Sequence, residues 1–96
     1  MIIIVAKCTV KPACKETFIQ EARELVAASR KEAGNLEYHL HQDVNDANVL
    51  TFIEHWKDDA AIEKHGASAH FTSIFPRLQS YCAKEPELNY YYRITE

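Results

Sequence analysis

The first predicted strand restricts the fold more than any other part of the sequence. Residues 2–10, IIIVAKCTV, are rich in β-branched side chains and apolar on both alternating faces, with Ile2 and Ile4 on one side and Ile3 and Val5 on the other. This pattern is typical of a strand that is covered on both sides. Two separate layers of structure must therefore bury this strand.

An amphipathic helix and a β-hairpin follow the first strand. From Lys15 the apolar residues recur at helical spacing, and the dipeptide Gly34-Asn35 is predicted to close the helix with a left-handed residue. Residues 36–43 and 49–56 alternate as two strands, joined by the turn sequence VNDAN, whose side chains can cap their own backbone or accept positive φ. The helical stripe consists of Phe18, Ala22, Leu25, Val26, Ser29 and Ala33.

Two further helices are predicted after the hairpin. Asp58 is a suitable N-cap for a short helix over residues 59–65, which Gly66 is expected to interrupt. Ser68 can cap the next helix, in which Pro76 must kink or divide the chain because it cannot donate a backbone hydrogen bond.

Residues 87–95 alternate as a fourth strand, so the order of elements is β-α-β-β-α-β. This order predicts an α+β protein with the ferredoxin-like arrangement, one domain over residues 1–96, with helices on one face of a four-stranded antiparallel sheet. Helices can cover only that face, whereas the first and third strands are apolar on both. We therefore expect a homodimer in which two sheets pack face to face.

Composition and charge argue against some classes of function. The formal charge of −3 argues against nucleic-acid binding, and no segment approaches the roughly 20 apolar residues that span a bilayer. The N-terminal segment lacks the features of a signal peptide, so a cytoplasmic location is expected. Cys8, Cys14 and Cys82 have no metal-binding or disulfide spacing and are predicted to be free thiols.

The third strand carries the strongest candidate for chemistry. Glu54 and Trp56 share its inward face, and His65 lies on the inward side of the following helix. A buried Glu54–His65 pair would hold the imidazole in one tautomer and raise its basicity, as a general base requires. The alternatives are a satisfied buried pair without chemistry and a Trp56 that only fills the core. His70 lies at the border of its helix's apolar stripe.

The motif H-x-H in the second strand is a weaker candidate. His39 and His41 lie on one strand face, a spacing that can present two imidazoles to a metal ion. No acidic or cysteine partner is placed near them by spacing. We therefore predict no metal site there.

Several of these residues together resemble a known family. The segments VKP, GNLEYHLHQD and FIEHWKDDAAIEKHGASAHF are similar to the antibiotic biosynthesis monooxygenase domain, including the quinol monooxygenase-like proteins, over nearly the whole chain. The resemblance implies a ferredoxin-like dimer with a pocket between helices and sheet. It also implies an oxidoreductase that oxidises a small aromatic phenol or quinol with molecular oxygen, without metal, flavin or other cofactor.

The resemblance also implies roles for individual residues. His65 would be the base, Glu54 its orienter, and Trp56 and Phe71 the walls of the pocket. Asn35 and His70 would be polar contacts to the substrate. Tyr38, Phe52 and Phe75 complete the predicted set of substrate-binding residues.

Two other functions remain open within this family. One similar branch acts on a phosphorylated autoinducer-2-like carbonyl compound, for which the same pair would shuttle a proton in an isomerisation, and Lys7, Arg77 or Arg93 would have to contact the phosphate. The other alternative is a dimer that binds a small molecule without turnover. A haem-degrading branch has an asparagine on the first strand, and IVAKCTV has none.

Overall fold

The computed structural model describes residues 1–95; Glu96, the last residue of the predicted domain, lies outside them. The predicted α+β class and order of elements are confirmed, with a 3₁₀ turn at Pro12–Cys14 before the first helix. No helix in the described residues is both long enough and apolar enough to cross a membrane. The elements are β1 (Ile2–Thr9), α1 (Lys15–Arg30), β2 (Asn35–Gln42), β3 (Val49–Trp56), α2 (Asp59–Ala67), α3 (Ala69–Ser80) and β4 (Glu87–Tyr92).

The sheet has the strand order β2-β3-β1-β4 and is antiparallel throughout. Its two central strands alternate as the sequence predicts, and one face packs against the helices. Glu54 of β3 lies between Ile4 of β1 and Tyr38 of β2, so the carboxyl group is placed inside the apolar layer. The largest buried side chains of this layer are Trp56, Tyr38, Phe18, Phe52, Leu25 and Leu78.

No layer formed by residues 1–95 covers the opposite sheet face. Ile3 and Val5 of β1 and Ile53 of β3 are half-buried there. β4 is exposed along its whole length, and Tyr91, which pairs with Ile3 on this face, is 52% exposed. The second copy that would cover these surfaces stays a prediction.

The predicted caps of the two short helices are confirmed. The Asp58 carboxylate accepts a hydrogen bond from the Ala61 backbone N–H at 2.9 Å, and the Ser68 hydroxyl accepts one from the Phe71 N–H at 3.2 Å. Gly66 does not interrupt α2, which continues to Ala67. The helix ends instead at Ser68, whose backbone is extended. Its hydroxyl group caps the start of α3, which glycine could not do because it has no side chain.

Pro76 does not divide α3, which runs through it as one helix from Ala69 to Ser80. The prediction for Gly34 was also wrong, since no residue in the range 1–95 has positive φ. α1 ends earlier than expected, at Arg30. Gly34 is needed for a different reason: a Cβ at this position would overlap the Cβ of Ala61, so glycine allows α2 to pack directly on this segment.

The hairpin turn is held by its own side chains, as predicted. One oxygen of the Asp43 carboxylate accepts from the backbone N–H groups of Asn45 and Asp46, at 2.9 and 3.0 Å. At the other end of the hairpin, a bulge shifts the pairing between Asn35 and Glu37. Leu36 is therefore 55% exposed and does not share the inward face with Tyr38.

Candidate active site

Glu54 and Trp56 form a buried pair on one face of β3. The indole N–H of Trp56 donates a hydrogen bond of 2.9 Å to the Glu54 carboxylate, and both residues are almost fully buried. Burial raises the pKa of Glu54 to about 7, while hydrogen bonds from Trp56 and Tyr38 act in the opposite direction. The carboxyl group thus keeps its proton to a higher pH than an exposed glutamate does.

His65 projects from α2 into this layer but is not paired with Glu54. Its Nδ1 atom is 2.7 Å from a carboxylate oxygen of Glu32. The predicted Glu54–His65 pair was therefore wrong. The Glu54 carboxylate accepts a hydrogen bond from the indole N–H of Trp56 on the same strand. The hydrogen-bond partner of the His65 imidazole is Glu32, on the segment after α1.

Glu32 also holds a second imidazole. Nε2 of His70 lies 2.8 Å from the same oxygen that meets His65. The three residues come from three parts of the chain: the segment between α1 and β2, the end of α2, and the start of α3. We call Glu32, His65 and His70 the carboxylate–imidazole cluster.

The cluster determines the tautomer of His65. Burial lowers the pKa of His65, although the Glu32 carboxylate raises it, so the ring is neutral near pH 7. An ionised carboxylate only accepts hydrogen bonds, so the proton lies on Nδ1 and Nε2 carries the lone pair. Nε2 is buried and has no hydrogen-bond partner. The structure therefore contains a basic nitrogen whose lone pair is unused.

Aromatic rings surround the imidazole of His65. Its ring centroid is 4.5 Å from that of Trp56, 4.8 Å from that of Phe71 and 5.5 Å from that of Tyr38. Phe71 in turn stacks on Phe75 at 4.9 Å. Water is largely kept away from His65, whose residue exposure is only 4%.

The remaining predicted site residues lie at different distances from the cluster. Phe52 is fully buried behind Tyr38, with ring centroids 5.7 Å apart. The side-chain amide of Asn35 donates to the backbone carbonyl oxygens of Glu37 and His55, at 3.0 and 3.3 Å. This amide is therefore used to hold the bulge of β2 against β3.

His39 and His41 lie on the uncovered sheet face, away from the cluster. Nδ1 of His39 accepts from the Arg30 guanidinium at 2.8 Å, and Nδ1 of His41 lies 3.3 Å from the Thr51 carbonyl oxygen. His55 shares this face, with Nδ1 3.7 Å from the Glu37 carboxylate. The five histidines thus divide into two buried or half-buried ones in the cluster and three on the opposite side of the sheet.

Glu32 is the functional candidate that the sequence did not reveal. It falls outside the apolar stripe of the first helix, 33 residues before His65, and no motif spacing connects the two. Two features of the structure bring it inward: α1 ends at Arg30, and Gly34 lets the following segment approach α2. The one sequence feature near Glu32 that predicted a change of chain direction was the dipeptide Gly34-Asn35.

A cavity of about 350 Å³ lies beside the cluster. Glu32 forms part of its wall together with Lys57, Asp58 and Lys64. The space between the helices and the sheet, where a pocket was expected, is occupied by side chains such as Trp56, which is fully buried. Solvent therefore reaches the cluster through Glu32 and His70, whose side chains are 16% and 23% exposed.

Comparison with known proteins decides the family. The sequence model described as "Antibiotic biosynthesis monooxygenase" matches residues 1–77, which include the whole carboxylate–imidazole cluster. The chain belongs to the antibiotic biosynthesis monooxygenase family. The match ends inside α3, so β4 lies outside the matched region.

Several individual proteins are similar to this chain over most of their length. The Bacillus subtilis (strain 168) protein named "Putative monooxygenase YcnE" is 41% identical over 88 residues, which cover 92% of this chain and 85% of that protein. A conserved protein from Methanosarcina mazei Go1 of known crystal structure is 37% identical, with a TM-score of 0.92 over 94% of this chain and 89% of that chain. A crystal structure of an antibiotic biosynthesis monooxygenase is 29% identical, with a TM-score of 0.94 over 99% of this chain and 100% of that chain.

Proposed function

We propose that the protein is a monooxygenase that oxidises a small aromatic phenol or quinol with molecular oxygen. The observation that carries the proposal is the Nε2 atom of His65, which is buried and unpartnered while Glu32 holds the opposite nitrogen. A general base needs this arrangement, because the lone pair is available and the carboxylate stabilises the imidazolium that forms. Membership of a monooxygenase family supports the oxygen chemistry.

In the proposed first step, Nε2 of His65 takes the hydroxyl proton of the substrate. The resulting phenolate is electron-rich and reduces oxygen directly. One oxygen atom then bonds to the ring and the other leaves as water, so a phenol becomes a quinone and a quinol becomes a hydroxyquinone. The substrate supplies all the electrons, which is how such an enzyme would work without flavin or metal.

The aromatic residues would orient the substrate ring. In this proposal Trp56 and Phe71, the nearest rings to His65, form the walls, and Tyr38, Phe52 and Phe75 support them. Glu54 positions Trp56 through the indole N–H and has no direct role in the proton transfer. A substrate must displace side chains to enter, since this layer is closely packed.

The proposal can be tested by oxygen uptake with a menadiol-type quinol, corrected for uptake without protein. We expect His65→Gln to lower the protein-dependent rate by roughly 10²–10⁴-fold, the usual contribution of a general base. Mass spectrometry after reaction under ¹⁸O₂ should show one labelled oxygen atom in the product.

His55→Gln is the matched control, because His55 is also next to a glutamate but lies on the other sheet face. Its rate should equal that of the unmodified protein. Equal rates for His65→Gln and the unmodified protein would contradict the assignment of the base. Absence of protein-dependent oxygen uptake with every phenol and quinol tried would contradict the proposed reaction.

One observation favours the second candidate, isomerisation of a phosphorylated carbonyl compound. Lys57 and Lys64 line the cavity beside Glu32 and could contact a phosphate. The three cations considered from the sequence are less suitable: Lys7 and Arg93 are exposed on or after the sheet strands, and Arg77 is paired with Glu21. Conversion of such a compound without oxygen uptake, lost in Lys64→Ala, would favour this function.

We also propose that the protein is a homodimer with two sheets packed face to face. The half-buried Ile3, Val5 and Ile53 on an uncovered face support this, because exposed apolar patches commonly mark association sites. Sedimentation velocity at micromolar concentration should give twice the chain mass of 11.0 kDa. A single species at the chain mass would contradict this proposal without affecting the base assignment.

A further inference from the structure

The carboxylate–imidazole cluster has the donor set of a transition-metal site. In residues 1–95 it is one group of three metal-type side chains whose ligand atoms all lie within 4.8 Å of one another. Two imidazole nitrogens and one carboxylate oxygen are the ligands of many catalytic zinc sites and of non-haem iron(II) sites. We infer that Glu32, His65 and His70 bind one divalent transition-metal ion per chain through Oε2, Nδ1 and Nε2, respectively.

The directions of the three groups support the inference. Both imidazoles aim a ring nitrogen at the same carboxylate oxygen, at 2.7 and 2.8 Å. When each ring proton lies on the opposite ring nitrogen, the two lone pairs near Glu32 point at a common region, which the metal ion would occupy. In a tetrahedral site with bonds of about 2.1 Å, ligand atoms are about 3.4 Å apart, so the distance from the glutamate oxygen to each ring nitrogen must grow by about 0.6–0.7 Å.

Metal binding requires movement of Glu32 and His70, and both side chains are partly exposed and free to move. The side chains of Glu32 and His70 are 16% and 23% exposed, whereas that of His65 is 5% exposed and is held between Trp56 and Phe71. His65 would thus act as the fixed ligand. The other two would close on the metal from the solvent side.

The surroundings leave room for further ligands on the ion. Glu32 also forms part of the wall of the 350 Å³ cavity, which can admit water or a small ligand. Lys57 and Lys64 line this cavity too, but both are exposed, so their ammonium groups can remain in solvent while Asp58 adds a negative charge nearby. Imidazole ligands favour zinc(II), cobalt(II) or iron(II) over magnesium and calcium, which prefer all-oxygen sites.

Metal binding does not depend on the proposed oxidation. The site is built from the resting side chains, so a protein that oxidises no phenol would still bind the ion. A metal on Nδ1 would leave the single ring proton of His65 on Nε2, so the metal-bound form cannot use that nitrogen as a base. Metal binding and quinol oxidation therefore belong to different states of the protein, and each proposal can fail without the other.

The test is a titration of chelator-treated protein with cobalt(II) and zinc(II). We expect one equivalent of cobalt(II) to give a visible absorption band, one equivalent of zinc(II) to remove it, and excess magnesium(II) to leave it unchanged. Repeating the titration at lower pH should weaken binding, because an imidazolium has no lone pair for the metal ion.

Variants separate this site from adventitious binding at the surface. Glu32→Gln and His70→Ala should each weaken binding by at least about tenfold, since each removes a ligand. The control is His41→Ala, which alters the H-x-H pair on the opposite sheet face and should bind as the unmodified protein does. Circular dichroism would confirm that each variant is folded.

Two results would overturn the inference. One is the absence of a cobalt(II) band at one equivalent, which would mean that the cluster binds protons only. The other is binding that is lost in His41→Ala and kept in His70→Ala, which would place the metal on the sheet surface. Should Glu32→Gln fail to fold, the comparison of His70→Ala with His41→Ala still decides between the two places.

Discussion

Replacing Glu54 with glutamine should change how the stability of this protein depends on pH. Glu54 is 5% exposed, and burial raises its pKa from 4.5 to about 7. A carboxyl group with a raised pKa binds its proton more tightly in the folded state than in the unfolded state. Its contribution to stability is therefore complete below pH 4.5 and is lost as the pH rises through about 7.

The size of the effect follows from the same shift. Moving a pKa from 4.5 to about 7 corresponds to about 3 kcal/mol in the free energy of unfolding. Glutamine keeps an oxygen that can accept the Trp56 indole N–H, but it carries no charge at any pH. The variant should thus match the parent protein near pH 4.5 and exceed its stability by up to about 3 kcal/mol at pH 8.

Urea unfolding at fixed protein concentration, followed by the fluorescence of the single tryptophan, measures this difference. The lowered pKa of His65 acts in the opposite direction, but it contributes equally to both proteins and cancels in the comparison. Glu37→Gln, the same change at an exposed position on the other sheet face, is the control. Parallel stability curves for Glu54→Gln and the parent protein between pH 5 and 8 would refute the reasoning.

Four further predictions concern packing, capping and assembly. Gly34→Ala should lower the free energy of unfolding by roughly 1–3 kcal/mol, because its Cβ would overlap that of Ala61. Gly66→Ala, inside α2 with open space around it, should raise that free energy by about 0.5–1 kcal/mol, and a urea titration that ranks the two variants otherwise would contradict both. Asp58→Ala should cost about 1 kcal/mol in the same measurement, since it removes the N-cap of α2. Ile3→Asp, on the uncovered sheet face, should convert the proposed dimer to a monomer in sedimentation velocity, and an unchanged dimer mass would place the interface elsewhere.

The sequence by itself determined the elements, their order and the inward faces of the central strands. The alternation in residues 49–56 places Glu54 and Trp56 on the buried face of β3, where the structure finds both. The caps at Asp58 and Ser68 were equally predictable. These features depend on periods and on contacts between neighbours in sequence, which a chain expresses locally.

Only the tertiary structure decided which residues meet in the candidate site. His65 and Glu54 are both directed inward, yet the imidazole bonds Glu32 and the carboxylate bonds Trp56. Which partner each side chain meets depends on how closely distant segments approach one another. Here the early end of α1 and the close contact of Gly34 with α2 decide this. Hydrogen bonds act over about 3 Å, whereas a hydrophobic pattern determines only which way a side chain faces. The pattern could thus predict that a histidine is buried, but not which carboxylate holds it.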